Sequence, residues 1–305
     1  MKLIKPSYEF LEQGFVEQDI YKQIEKVGRT CYKSEDKITE KSAKPFVDRM
    51  IASKHYAMLE HGTVYLAIPY SPFDSKYQEH FKYRSNKYSK ISNDMSPYNS
   101  IAYITTNLRV LVENGWLDDL KYLCEPTEHH EKRVTVKFIC DRGVSHEFVR
   151  HRVFSFAQES TRYCNYSKDK FGNELTFIIP KWTDLKEGSY EKRINGIFLD
   201  NRIELYHHNT HIDSYDFVDY LFYSEKAYKD FLNYGWVAQE ARAVLPNALK
   251  TELVMTGFIS DWKHFFDLRA YGVTGKPHPQ ASELAIPLLN EFIEKGYLHG
   301  NERTN

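Results

Sequence analysis

Residues 150–163 read RHRVFSFAQESTRY and gather three arginines, one histidine and two serines into 14 positions. Like charges this close repel one another, so the cluster is costly to hold together unless an anion lies among the guanidinium groups. A guanidinium is planar, and its N–H fork matches two oxygens of a phosphate or a carboxylate. The segment therefore predicts a binding site for an anionic ligand.

Two further arginines lie in apolar surroundings, Arg242 in ARAVLP and Arg269 in FFDLRAYG. A buried arginine is costly unless it is paired. One alternative is that each arginine bonds a local carboxylate such as Glu240, Asp267 or Glu159. Five arginines in this pattern favour a shared anionic ligand over separate structural pairs.

Hydrophobic periodicity predicts the elements that position these residues. We expect helices at residues 19–27, 44–54, 108–123, 144–152, 217–231, 236–245, 262–270 and 284–293. Gly28 and Gly235 are expected to end their helices, and Gly115 to interrupt the helix at 108–123. We expect strands at residues 63–68, 101–105 and 134–138. Residues 69–131 are expected to hold an insertion, and the weakly patterned residues 165–214 a variable segment. The fold class is α+β, a single domain over residues 1–305 with one sheet and several helices.

Composition excludes several classes of protein. The net charge is −1 and the pI about 6.9, so no overall positive field attracts nucleic acid, although arginines among 23 Tyr and 19 Phe leave a single-strand binder as an alternative. No stretch approaches the length of a membrane span. The N-terminus lacks a signal-peptide pattern, and the four cysteines lack paired spacing, so we expect reduced thiols in a cytoplasmic protein.

Two nucleotide-binding motifs are absent from the sequence. No GxGxxG follows a strand and no GxxxxGK[ST] is present, so arginine side chains and helix N-termini must hold any phosphate. His207 and His211 would share a helical face beside His208, but without a carboxylate nearby they favour a surface pair over a metal site. The pair His129 and His130 is interpreted in the same way, and no metal is expected.

The order of four motifs resembles that of the flavin-dependent thymidylate synthases. These are KHYAMLEH, the triplet RHR followed after seven residues by Ser-x-Arg, ARAVLP and HFFDLRA. The resemblance covers roughly residues 18–68 and 133–295. It implies the thymidylate synthase-complementing type of fold, in which a central, mostly antiparallel sheet is flanked by helices.

The resemblance also implies the roles of individual residues. The positions that it places on dUMP are Glu147, Arg150, Gln158, Glu159, Ser160, Thr161, Arg162, Arg242 and Arg269. The positions that it places on FAD are His55, Glu60, Arg150, His151, Arg152, Gln158 and His264. In that family the segment matching KHYAMLEH contacts the flavin from a neighbouring subunit, within a homotetramer whose active sites are shared between subunits.

The implied reaction is the reductive methylation of dUMP to dTMP. Carbon comes from 5,10-methylenetetrahydrofolate and hydride from FAD that NADPH has reduced, and tetrahydrofolate is released. The resemblance makes Arg269 the catalytic residue, which stabilises negative charge on the pyrimidine while carbon 5 acts as a nucleophile. A covalent mechanism through Cys140 or Cys164 is an alternative, but the motifs of cysteine-dependent synthases are absent.

The sequence departs from the family pattern at four positions. Gln158 replaces a frequent Glu, Ala157 a frequent Asn, Ala57 a frequent hydroxyl residue and Phe258 a frequent Asn. Gln158 keeps hydrogen-bonding capacity, whereas Ala57 and Phe258 remove individual flavin contacts. A relative that binds flavin and nucleotide without catalysis is therefore the alternative function.

Overall fold

The computed structural model describes residues 1–71, 79–94, 100–168, 171–193, 196–199 and 214–299. The helices are α1 (Glu17–Thr30), α2 (Ala43–Ala52), α3 (Leu108–Asn114), α4 (Arg142–Phe148), α5 (Ser214–Asn233), α6 (Ala238–Ala241), α7 (Ile259–Phe266) and α8 (Pro279–Glu294). The strands are β1 (Lys2–Ile4), β2 (Ser7–Phe10), β3 (Thr63–Tyr70), β4 (Lys90–Asp94), β5 (Ser100–Asn107), β6 (Arg133–Asp141), β7 (Ser155–Gln158), β8 (Thr176–Ile178), β9 (Gly188–Arg193), β10 (Gly196–Leu199) and β11 (Lys250–Phe258).

The strands form three sheets rather than the one that we expected. The central sheet has the order β2-β6-β11-β7 and is antiparallel throughout. A second antiparallel sheet has the order β3-β5-β4. The third has the order β10-β9-β1-β8, and its one parallel pair joins β1 to β8. The expectation of an α+β fold with mostly antiparallel pairing is confirmed.

The third sheet shows that residues 165–214 hold strands that their weak patterning did not predict, whereas the variability of this segment stays a prediction. Strands β8, β9 and β10 lie in this stretch. β8 and β9 pair with the N-terminal strand β1, and β10 pairs with β9. These strands were not predicted because each is short, and because β8 and β9 pair with a strand more than 170 residues away in the sequence. His207, His208 and His211 lie outside the described residues.

Both faces of the central sheet are covered. Leu253 and Met255 of β11 face a core built with α4, α7 and α8, which includes Trp262 and Phe265. Val254, between them, faces a second core built with α1, α2 and the sheet β3-β5-β4. Strand residues alternate between faces, so an apolar strand covered on both sides reads as a continuous hydrophobic run. The edges of this double-covered sheet are therefore where polar groups can reach a ligand.

Helix boundaries near the arginines differ from the expected ones. α1 continues through Gly28 to Thr30, so Gly28 does not end the helix. A β-carbon at Gly28 would lie 2.6 Å from Phe46 Cζ, and the glycine therefore permits close packing with α2. α4 begins earlier, with Asp141 Oδ1 accepting a hydrogen bond of 2.8 Å from Val144 N, and ends at Phe148. The RHR triplet consequently follows α4 instead of lying on its last turn.

The C-terminal elements hold Arg242 and Arg269. The helix expected at 236–245 is shorter, with α6 followed by a 3₁₀ turn over Arg242–Val244. α7 begins at Ile259, where Asp261 accepts a bond from Phe258 N, and α8 continues past Pro287.

Within the described ranges, no helix has the length and apolar character needed to cross a membrane.

The described parts of residues 69–131 pack into the second core. Ile104 of β5 and Leu108 and Leu111 of α3 are fully buried there, beside residues of α1. The predicted strand at 101–105 and the helix interruption at Gly115, whose φ is +69°, are confirmed. That this stretch is an insertion within a single domain stays a prediction.

Candidate functional site

Arg269 lies on a π-helical turn, Asp267–Tyr271, that directly follows α7. Single π turns of this kind occur frequently at functional sites. Gly272 ends the turn with φ +69°, and a β-carbon there would lie 2.8 Å from both Gly275 O and Pro277 Cδ. Only glycine combines the left-handed backbone with this close approach, so Gly272 fixes the direction in which the turn presents Arg269.

Replacing Gly272 with alanine should lower the free energy of unfolding by about 2–4 kcal/mol, through left-handed backbone strain and the overlap with Pro277. Gly296 is the matched control, since its φ is +70° and nothing lies within 4 Å of a β-carbon there. Gly296→Ala should cost only the backbone strain, about 1 kcal/mol. Urea unfolding of both variants measures the difference, and equal losses would contradict the packing argument.

Three hydrogen bonds fix the Arg269 guanidinium. Nη1 donates to Glu147 Oε2 at 2.8 Å, and Nη2 donates to the Glu147 carbonyl oxygen at 2.7 Å. Nε donates to His151 Nε2 at 3.1 Å. The Arg269 side chain is 14% exposed, so one edge of the site is open to a ligand. The alternative that Arg269 pairs with Asp267 is wrong, because Glu147 takes that place.

His151 is a neutral acceptor in this arrangement. Burial, followed by the charge of the Arg269 guanidinium and by His264, lowers its pKa to about 4. Because Nε2 accepts from Arg269, the neutral imidazole carries its proton on Nδ1. The exposed His264 lies beside it, with ring centroids 6.1 Å apart. The buried middle residue of the RHR triplet thus orients Arg269.

The two arginines of the triplet point outward. Arg150 is 72% exposed, and its Nη1 lies 3.4 Å from Glu147 Oε1. Arg152 is also exposed, and among the described residues it has no carboxylate within ion-pair distance. Glu147 therefore links Arg150 to Arg269, while Arg152 is left with its charge facing solvent.

A second group of polar residues surrounds the chain that leaves β7. Ser160 Oγ accepts from Arg162 N at 3.3 Å, and Arg162 Nε donates to Gln239 Oε1 at 3.0 Å. Arg242 Nη1 donates to Thr161 Oγ1 at 3.1 Å. Arg162 and Arg242 are both exposed, so the expectation that Arg242 is buried is wrong.

Local carboxylates do not neutralise this second group. Glu240 instead accepts a bond from Val237 N, and in the described ranges neither Arg162 nor Arg242 has an acidic partner. The alternative of separate local ion pairs is therefore wrong for these two arginines. Their donors remain available to an anion.

Gln158 connects the two groups. Its Nε2 donates to Ser145 Oγ of α4 at 2.9 Å and to Thr251 Oγ1 of β11 at 3.2 Å. Ser145 lies on the same helix as Glu147, and Gln158 directly precedes the segment that holds Ser160. Gln158 thus ties α4 to the end of β7.

Glu159 points away from this surface. Its side chain is 1% exposed, with Oε2 accepting from Lys250 Nζ at 2.8 Å and Oε1 accepting from the Tyr166 hydroxyl at 3.0 Å. Both carboxylate oxygens are therefore bonded within the protein, in contrast to the neighbouring Ser160 and Arg162.

The KHYAMLEH segment forms a 3₁₀ turn, Tyr56–His61, that His55 precedes. His55 is exposed, whereas Glu60 pairs with Arg109 and its carbonyl oxygen accepts from Arg133 Nη1 at 3.0 Å. In the parts of the chain that the structure describes, no hydrogen bond or ion pair joins His55 or Glu60 to the RHR triplet.

Sequence reasoning missed several residues that hold the site together. These are Ser145, Thr251, Gln239, Arg109, Lys250 and Glu252. Lys250 and Glu252 stand two apart in KTELVMTGF, so they share one face of a strand. Two charges at this spacing beside an apolar run are the sequence pattern from which both residues could have been identified.

His61 is a buried histidine whose titration should affect stability. It is 0% exposed, its Nδ1 lies 2.7 Å from Thr256 Oγ1, and burial followed by the Arg133 charge lowers its pKa to about 3. The unfolded chain, with a pKa near 6.5, binds a proton between pH 6.5 and 3 that the folded chain does not. Folding stability is therefore lost as the pH falls through that window.

Lowering the pH from 7 to 5 should cost about 2 kcal/mol of unfolding free energy through His61 alone. Asparagine at this position, in His61→Asn, keeps a polar atom near Nδ1 but does not titrate. Its unfolding free energy should change less between the two pH values by about that amount. Urea unfolding at pH 7 and pH 5 measures both proteins, and equal losses would contradict the assignment.

Metal and cysteine chemistry find no support within the described ranges. No group of three or more His, Cys, Asp or Glu residues there could hold a metal ion. His130 is buried, with its Nε2 3.1 Å from Leu66 O, and is not a surface residue as expected. Cys140 and Cys164 are fully buried, and burial raises the pKa of Cys140, which disfavours a reactive thiolate.

Comparisons with known proteins follow the same motifs. The family model described as thymidylate synthase complementing protein matches residues 124–295, more than half of the chain. Flavin-dependent thymidylate synthase from Pyrococcus furiosus is 29% identical over 156 residues, which are 51% of this chain and 52% of that protein. The protein of the same name from Corynebacterium efficiens is 31% identical over 150 residues, 47% of this chain and 51% of that one. The chain thus spans about half the length of the curated relatives it matches.

Among solved structures, a UMP/dUMP methylase, PolB from Streptomyces cacaoi bound with 5-Br UMP, is similar over 96% of this chain and 92% of its own. The TM-score is 0.43 and the sequence identity 14%. Superposition at this level does not identify a shared site.

Proposed function

Because the chain belongs to the thymidylate synthase complementing protein family, we propose that it is a flavin-dependent thymidylate synthase, a methyltransferase that converts dUMP to dTMP. The carbon donor is 5,10-methylenetetrahydrofolate, and NADPH reduces the bound FAD. The observation that carries this proposal is the Arg269 guanidinium, fixed on three sides by Glu147 and neutral His151 with an edge left open.

Arg269 activates the pyrimidine in this proposal. Carbon 5 of uracil is a poor nucleophile, and making it electron-rich places negative charge on the ring that is shared with N3 and the carbonyl oxygens. A guanidinium that is already oriented stabilises this charge without reorganising. His151 contributes by accepting from Nε in its neutral form, because a protonated imidazole would repel Arg269 and could not accept the bond.

The phosphate of dUMP is bound by the second group in this proposal. Arg162 and Arg242 are exposed and lack acidic partners in the described residues, and the Ser160 hydroxyl accepts from Arg162 N beside them. Charge-assisted bonds from guanidinium groups to phosphate are strong and can be bidentate. This donor set suits an anion where the phosphate-binding glycine loop is missing.

The residues proposed for FAD also suit an anionic, aromatic ligand. Arg150 is exposed and its Nη1 lies 3.4 Å from Glu147 Oε1, whereas exposed Arg152 has no acidic partner among the described residues. His264 offers an exposed ring next to His151. FAD, when bound, supplies the hydride that completes the methyl group. The chain's own residues position the two ligands and hold the charge.

A homotetramer with shared active sites is part of the proposal. Among the described residues, no hydrogen bond or ion pair joins His55 or Glu60 to the RHR triplet, which supports a site completed by a neighbouring subunit. The four free cysteines support a cytoplasmic location, where thiols stay reduced.

Anaerobic reduction tests the cofactor part of this proposal. The purified protein, loaded with FAD, should lose its oxidised-flavin absorbance on addition of NADPH, and more rapidly when dUMP is present. A protein that binds FAD and dUMP but is not reduced would be the catalytically silent relative. A protein that binds neither would contradict the proposal.

A further inference from the structure

Four side chains of alternating charge, two of them buried and two partly exposed, lie next to the proposed phosphate site. Glu252 Oε1 accepts from Lys33 Nζ at 2.8 Å and from Lys250 Nζ at 2.6 Å. Lys250 Nζ also donates to Glu159 Oε2 at 2.8 Å. The side-chain exposures are 23% for Lys33, 7% for Glu252, 15% for Lys250 and 1% for Glu159. We call this series the ion-pair network.

The ion-pair network joins three separate parts of the chain. Lys33 lies on the loop after α1, Lys250 and Glu252 lie on β11, and Glu159 follows β7. Backbone bonds connect the same three parts, since Glu159 N donates to Glu252 O at 2.8 Å and Ser160 N donates to Cys31 O at 3.0 Å. The backbone of Ser160 is thus placed from both sides, by the side chain of Glu159 and by the loop that carries Lys33.

Stability alone does not account for such a series. Buried ion pairs are often no better for stability than well-packed apolar side chains, but removing one partner leaves a buried charge uncompensated. Burial acts to raise the pKa of Glu252, yet Lys250 and Lys33 together hold it at about 2. Glu252 therefore remains ionised near neutral pH, and its position between the two lysines is specified by charge.

We propose that Lys33, Glu252, Lys250 and Glu159 act as positioning residues that fix the backbone of residues 160–162 for binding the nucleotide phosphate. Glu159 acts through Lys250 and not by contact with the ligand. The identity of the ligand, dUMP, rests on the proposed function, whereas the positioning of the backbone does not.

Lys250→Met tests the proposal, with Lys82→Met as the matched control. Lys82 Nζ lies 2.6 Å from Asp119 Oδ2, whose side chain is 5% exposed, so the control also removes a lysine from a buried carboxylate. Lys82 follows β3, in a 3₁₀ turn that packs into the second core. Hydrogen–deuterium exchange of peptides covering residues 158–163 and the dissociation constant for dUMP of the FAD-loaded protein are measured for both variants.

In Lys250→Met the amides of residues 159–162 should exchange about tenfold faster or more, and dUMP should bind about tenfold more weakly, with FAD retained. Lys250→Arg should recover most of both losses, because it restores the charge. Lys82→Met should change neither readout more than about twofold. If Lys250→Met does not fold, Glu159→Gln, which keeps the shape of the side chain, should show the same changes to a smaller degree.

Exchange and dUMP affinity in Lys250→Met that match those of Lys82→Met would overturn the proposal. A wild-type protein that does not bind dUMP would contradict the proposed function. In that case the exchange measurement still decides, since faster exchange confined to residues 159–162 supports the positioning role and unchanged exchange overturns it.

Discussion

Replacing Arg269 with alanine should lower the rate of tritium release from [5-³H]dUMP by about 10²–10³-fold while the protein remains folded and retains FAD. Arg269 is the one guanidinium of the proposed site that both Glu147 and His151 orient. Its loss removes the charge that stabilises the activated pyrimidine. Single-turnover measurements at saturating dUMP separate this effect from weaker binding.

Two further variants sharpen the result for Arg269. Arg269→Lys keeps the charge but lacks the N–H fork that bonds Glu147 and His151 together, so its rate should lie between those of wild type and Arg269→Ala. Arg49→Ala removes an exposed arginine of α2 and should release tritium at the wild-type rate. A rate for Arg269→Ala within threefold of wild type would contradict the activating role.

The double variant Arg162→Ala, Arg242→Ala should raise the KM for dUMP by about 100-fold or more, with a smaller change in kcat. Each guanidinium contributes a charge-assisted bond to the phosphate, and a bond of this kind is worth about 1.5–3 kcal/mol. Initial rates over a range of dUMP concentrations measure both parameters.

Deoxyuridine shows whether the lost interaction is with the phosphate. Wild type should prefer dUMP strongly over deoxyuridine, and the double variant should lose most of this preference. Arg84→Ala, at an exposed arginine stacked on Phe81, should keep both the KM and the preference. A double variant that still discriminates as wild type does would place the phosphate elsewhere.

The elements with strong local periodicity were predictable from the sequence. The helix at 44–54 and the strands at 63–68, 101–105 and 134–138 correspond to α2, β3, β5 and β6. Their burial follows from regular spacing of apolar residues, which is a property of the segment itself. β11, the central strand, was missed because its buried residues run continuously and Lys250 and Glu252 obscure its start.

Long-range pairing accounts for the other misses. β1 pairs with β8 and β9 across more than 170 residues, and no local sequence pattern predicts such a distant partner. Gly28 was interpreted as a helix end, whereas the structure uses its small size to admit Phe46. A glycine that ends a helix and a glycine that permits close packing look the same in the sequence, because the difference lies in the element packed against it.

The candidate site was predictable as a set of residue types but not as a geometry. Arg269, Arg162 and Arg242 were chosen from the sequence, yet nothing in it gave the π turn or the neutral state of His151, because both depend on packing. Glu159 shows the limit of a motif. It stands within the predicted dUMP segment, but strand geometry turns it inward to Lys250.

Tritium release from [5-³H]dUMP, measured with FAD, NADPH and 5,10-methylenetetrahydrofolate and with each omitted in turn, tests the central claim most directly. We expect release that is matched by dTMP formation and is lost without FAD or without NADPH. Absence of dTMP from a folded, FAD-loaded protein with all components present would contradict it.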